Sequence, residues 1–147
     1  MIAVDTNILV YAHREDSPFH QVAFDRIESL ANSKAAWAIA WPCLHEFFSI
    51  VTHPRIFDPP SSIEIAVDQI EAWLECPGLH LIGETRNHWP ILRTLLIAAK
   101  IAGPRVHDAR IAAICEQHGI AELWTADRDF SAFPNLRTRN PCVAQRL

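Results

Sequence analysis

The chain has 147 residues, half of them hydrophobic, which is about one domain with enough apolar surface for a sizeable core. No apolar run approaches the ~18 residues that span a membrane, and Asp5 interrupts the first such run, so neither a membrane helix nor a secretion signal is expected. The net charge of −4 argues against a generic nucleic-acid coat, but residues 1–84 hold 12 acids and 4 bases whereas residues 85–147 hold 5 acids and 9 bases, an asymmetry that hints at a polyanionic partner.

Ile2-Ala3-Val4 reads as a short buried strand that ends at Asp5. Residues 6–14 lead into a helix, and Ser17-Pro18 predicts an N-cap and first turn for a second helix reaching about Ser33. Residues 36–40 read as a second buried strand. Pro42 opens a helix that carries Leu44, Glu46, Phe47 and Val51 and stops before Pro54. A proline-rich loop follows. Ser61-Ser62-Ile63-Glu64 has the pattern of a capping box, and its helix runs to about Glu75. Leu79–Ile82 is a third strand. Residues 87–102 predict a helix closed by Gly103-Pro104. Another helix spans about His107 to His118 and ends at Gly119. Residues 121–125 form a fourth strand, and 136–138 a last short one. Strands alternating with helices predict a single α/β domain over 1–147, a parallel sheet covered by helices on both faces.

Cys43, Cys76, Cys115 and Cys142 are scattered, with no C-x-x-C pair, so they read as free thiols and not as zinc ligands. The acids carry more information. Parallel sheets bind ligands beyond the carboxyl ends of their strands. Asp5 ends the first strand, Asp127 lies two residues past the fourth, and Asp108 opens a helix on the loop side. Asp108 has Ile111, Ala112 and Cys115 at i+3, i+4 and i+7, so it sits on an apolar stripe. Glu46 is flanked by Cys43, Phe47 and Ile50 on its helix. Inward-facing carboxylates repel each other and resist ionisation unless a cation compensates them. Oxygen-only donors favour Mg²⁺ or Mn²⁺ over Zn²⁺. Each acid also has a plainer reading, as a helix cap, a dipole partner or a turn residue.

At these residues the sequence resembles a known family. Val4-Asp5-Thr6-Asn7-Ile8-Leu9, Glu46 in its apolar helix, His107-Asp108-Ala109-Arg110-Ile111, and Leu123-Trp124-Thr125-Ala126-Asp127-Arg128-Asp129-Phe130 are similar, in order and spacing, to PIN domains of the VapC-type ribonuclease toxins. The likeness spans essentially the whole chain. It implies that Asp5, Glu46, Asp108 and Asp127 hold Mg²⁺ or Mn²⁺ and hydrolyse RNA, leaving 5′-phosphate and 3′-hydroxyl ends. Asp129 matches a position that is often acidic. Thr6, Asn7 and Thr125 match supporting polar positions. The resemblance further implies a cytoplasmic toxin, a VapB-type antitoxin partner and a homodimer.

An acidic pocket needs flanking bases to hold RNA. Arg86, Arg93 and Lys100 are spaced for one helical stripe, and Arg105, Arg110 and Arg128 lie near the acid motifs. Trp41, Trp89 and Trp124 are assigned to core packing in preference to base stacking. A haloacid-dehalogenase-type phosphatase would need an aspartate where Asn7 stands, and a receiver domain would need a lysine after a strand. The alternative outside enzymology is a non-catalytic PIN-like domain that binds RNA or protein.

Overall fold

In a computed structural model, which describes residues 1–144, five strands form one wholly parallel sheet in the order β3-β2-β1-β4-β5. The strands are β1 (Ile2–Val4), β2 (Trp37–Ala40), β3 (Leu79–Ile82), β4 (Glu122–Trp124) and β5 (Thr138–Arg139). The helices are α1 (Thr6–His13), α2 (His20–Asn32), α3 (Trp41–Val51), α4 (Ile63–Leu74), α5 (His88–Ala98) and α6 (Val106–Gln117). The chain runs β1, β2, β3 in one direction and then crosses back to β4 on the far side of β1. Right-handed crossovers therefore put α1–α4 on one face and the packed pair α5 and α6 on the other. The reversal leaves a switch point between β1 and β4, where open α/β sheets hold their ligands.

The central strands are short and apolar because both faces are covered: all four residues of β2 are buried. The largest fully buried side chains are Trp37, Phe47, Phe130 and Phe133, with Ile8, Leu9 and Ile39 around them.

Three helix ends depart from the sequence reading. α2 begins at His20, not at Ser17-Pro18. The Ser17 hydroxyl accepts from the Phe19 amide and the Ser17 carbonyl accepts from His20, so Pro18 serves a turn that precedes the helix. At α4 the capping box does not form. Ser61 Oγ lies 2.9 Å from His13 Nε2 and 3.3 Å from Arg14 Nη1, and Ser62 caps alone by accepting from the Ile65 amide.

α5 stops at Ala98, four residues early. Lys100 takes a left-handed φ of 53°, the Ile101 amide donates to the Leu96 carbonyl and the Lys100 amide to that of Ile97. This is a Schellman closure with lysine in the place glycine favours. Gly103-Pro104 instead opens a 3₁₀ turn that runs straight into α6. Gly119, with φ 62°, closes α6 as expected. No helix among the described residues is long and apolar enough to cross a membrane.

Candidate active site

Asp5 is the residue after β1 and the N-cap of α1, and it is only 6% exposed. Its neighbour across the sheet follows from register. Val4 pairs with Trp124, so the next residues, Asp5 and Thr125, also meet. Thr125 Oγ1 donates to Asp5 Oδ2 at 2.8 Å. On the other oxygen, Oδ1 accepts from the Thr6 amide at 2.8 Å and from the Cys43 thiol at 3.5 Å. Burial raises the Asp5 pKa; the bonds from Thr125, Thr6 and Cys43 pull it back, and the nearby Glu46 charge adds to the rise.

Thr125 does more than hold Asp5. Its hydroxyl oxygen accepts from Asn7 Nδ2 at 3.3 Å and from the Asp127 amide at 3.0 Å. Asn7 Oδ1 accepts from the Ala126 amide at 3.1 Å. The first turn of α1 is thereby stitched to the loop after β4. In that loop Asp127 Oδ1 accepts from the Asp129 amide and caps the short 3₁₀ helix that follows.

Asp108 comes from the opposite face, in the first turn of α6. One carboxylate oxygen each of Asp108, Asp127 and Asp129 lie within 4.8 Å of one another. Partial burial pushes the Asp108 carboxyl up to about 6, and the charges of Asp127, Asp129 and Asp5 add to it. Arg105, nearby, opposes that rise. Glu46 enters from α3, its Oε2 accepting from Thr6 Oγ1 at 3.2 Å. Asp5, Thr6, Asn7, Glu46, Asp108 and Asp127 line one cleft of about 290 Å³, walled on its apolar sides by Ile50, Ile111 and Phe130.

Carboxylates crowded in this way, with Asp5 and Asp108 raised and no basic side chain in the cleft lining apart from His107, could hold a hard cation. The donors are all oxygen. They fit Mg²⁺ or Mn²⁺ in kind.

Several sequence expectations change. Glu46 is exposed overall while α3 buries Cys43, Leu44 and Phe47, yet its carboxylate reaches into the cleft to Thr6. Asp129 is exposed, yet it belongs to the acidic triple with Asp108 and Asp127. Arg110 lies beside the cleft, its Nε donating to Glu84. The Arg86–Arg93–Lys100 stripe is broken, since Arg86 precedes α5 and Lys100 follows it. Trp124 is buried, but Trp41 is 43% exposed and Trp89 62%, so core packing holds for only one of the three. Cys43 was read only as a free thiol; its place three residues before Glu46 on α3 was the available signal for its contact with Asp5.

Residues 2–136 match the PIN domain family. The chain is similar to ribonuclease VapC48 of Mycobacterium tuberculosis, 34% identical over 137 residues that cover 93% of this chain and 94% of that one. It is also similar to ribonuclease VapC43 of the same organism, 33% identical over 145 residues, 99% of this chain and 98% of the other. Among solved structures, VapBC2 from Rickettsia felis bound to a promoter DNA fragment superposes with a TM-score of 0.66 at 23% identity, covering 95% of this chain and 98% of its counterpart. At that identity the likeness carries the fold.

Proposed function

The chain belongs to the PIN-domain family, and from that premise we propose that it is a metal-dependent endoribonuclease, the toxin of a toxin–antitoxin pair. The observation that carries the reading is the meeting of Asp5, Asp108 and Asp127, far apart in sequence, in one cleft at the switch point of the sheet. Full-length relatives named as ribonucleases support it. The Rickettsia felis neighbour is a VapBC assembly, which supports a VapB-type antitoxin as partner. A homodimer and a cytoplasmic location accompany the proposal.

Asp5, Asp108, Asp127 and Glu46 would hold the ion, Mg²⁺ or Mn²⁺, with Asp129 beside them. When bound, the cation supplies charge against phosphate oxygens and acidifies a water. The remaining work belongs to the chain's own residues. Thr125 and the Thr6 amide fix the two oxygens of Asp5 in orientation, and the Thr6 hydroxyl fixes Glu46. Asn7 ties the loop of Asp127 to α1. Ile50, Ile111 and Phe130 give the cleft apolar walls. In the reaction a water oxygen bonds to phosphorus, the bond to the 3′ oxygen breaks, and the water proton ends on that leaving oxygen.

The test is cleavage of RNA by wild type and Asp5→Asn, each with Mg²⁺ and with EDTA. Metal-dependent cleavage lost in Asp5→Asn is the expected result. Equal cleavage by both proteins overturns the assignment.

A further inference from the structure

The carboxyl edge of the sheet continues past the acids. Beyond β1 it passes β2, which hands directly to Trp41, and then β3, which hands to Gly83 and Glu84. A groove of about 400 Å³ runs here, lined by His45, Ser49 and Arg110, and it shares Glu46, His107 and Ile111 with the acidic cleft. The two lie side by side along these shared residues.

The composition of the groove differs from that of the cleft. His45, Ser49 and His107 are exposed donors. Arg110 spends its Nε on Glu84, and its two terminal nitrogens have no hydrogen-bond partner among the described residues. Trp41 adjoins the groove through Pro42, its chain neighbour, and His45, both of which line it. The indole is 43% exposed and sits 6.3 Å, centroid to centroid, from the His45 ring at a tilt of 37°. Its edge fills the space over Gly83: a Cβ there would lie 3.6 Å from Trp41 Cδ1. The ring is thus propped by backbone on one edge while much of its surface meets water. An aromatic so placed, against an imidazole and next to a groove that shares residues with the acidic cleft, is suited to stack a base.

We propose that this groove is the path of single-stranded RNA, with Trp41 the stacking platform for one unpaired base flanking the cleaved phosphate and Arg110, His45 and His107 the donors to the adjoining backbone. The proposal rests on the ribonuclease reading above and adds to it a base-recognition subsite. Stacking demands an unpaired base, so the nucleotide at Trp41 lies outside any duplex.

The test compares wild type, Trp41→Phe and Trp41→Ala on short single-stranded oligoribonucleotides that are intact or carry one abasic residue at successive positions around the cut. Trp41→Ala is expected to lower kcat/KM on the intact strand about tenfold through KM, the size of one lost base–aromatic stack. Trp41→Phe should stay near wild type. One abasic position should cost wild type the same factor and cost Trp41→Ala nothing further. The proposal is overturned if every abasic penalty persists undiminished in Trp41→Ala. It is also overturned if Trp41→Ala keeps wild-type kinetics while its oligomeric state changes, which assigns the indole to a protein contact.

A second arm reads binding without chemistry: fluorescence anisotropy of the same strands on Asp5→Asn and on Asp5→Asn with Trp41→Ala. If wild type cuts nothing yet Trp41→Ala weakens this binding tenfold, the platform stands and only the ribonuclease reading falls. If neither cleavage nor Trp41-dependent binding is found, both fall.

Discussion

The Cys43 thiol lies 3.5 Å from Asp5 Oδ1 and makes the third hydrogen bond to a carboxylate buried at the centre of the site. Burial pushes this thiol well above its usual range, with the adjacent Asp5 charge adding to the effect, so it stays protonated and can donate. Cys43→Ser keeps a donor and is expected to retain metal affinity within a few-fold. Cys43→Ala leaves Asp5 with two donors and a small void, and a stability loss of about 1–2 kcal/mol is expected by urea titration. Equal behaviour of the two variants would show that the contact is packing alone.

Thr125 joins three groups through one hydroxyl. Thr125→Val keeps the shape but strands Asp5 Oδ2, Asn7 Nδ2 and the Asp127 amide. A loss of about 1–3 kcal/mol in stability and 10–100-fold in Mn²⁺ affinity is expected. Thr125→Ser should restore most of both. Calorimetric titration with Mn²⁺ reads the second effect directly.

Partial burial and the neighbouring acids raise Asp108 to about 6, against 3.8 for an unperturbed carboxyl. A carboxyl with a raised folded pKa favours the folded state when protonated. Its contribution is therefore full below about pH 4 and is lost as pH climbs through about 6. In EDTA the Tm of wild type, relative to Asp108→Asn, is expected to fall between those limits. Adding Mg²⁺ should raise Tm more at pH 7 than at pH 5, because the ion must displace the proton. A flat difference between the two proteins across pH 4–6 would remove the basis for this coupling.

The four thiols are expected to split by access. Cys76 and Cys142 are half-buried, whereas Cys43 and Cys115 are buried, with the Cys115 thiol pushed up to about 12. Mass spectrometry after brief alkylation of the native protein should find modification at the first pair only, and at all four after denaturation. Early labelling at Cys43 would mean that the packing around Asp5 opens.

The acids were legible because their positions follow from rules that act locally. A strand ending at Asp5, a strand ending near Thr125 and a helix opening near Asp108 place the three residues on one edge as soon as the sheet is parallel. The rotation of each side chain was not legible. Glu46 shares its helix with Cys43 and Phe47, and the stripe pattern alone could not show that it is the exposed neighbour while they are buried. The proline at 18 was misread as a helix start because a turn and a first helical residue ask the same φ of it. Trp41 was misread for a different reason. Large aromatics are usually buried, and the space over Gly83 that supports this one is supplied by a segment 42 positions away in the chain.

The hydrogen bond between Thr125 and Asp5 closes a loop of 120 residues. β1 is synthesised well before β4, the strand that completes its carboxyl edge. A nascent chain can pack β1, β2 and β3 with their helices and still lack the loop of Asp127. A chain truncated before residue 122 would therefore carry Asp5, Glu46 and Asp108 without Thr125 or Asp127, and under the proposed function it would leave RNA uncut.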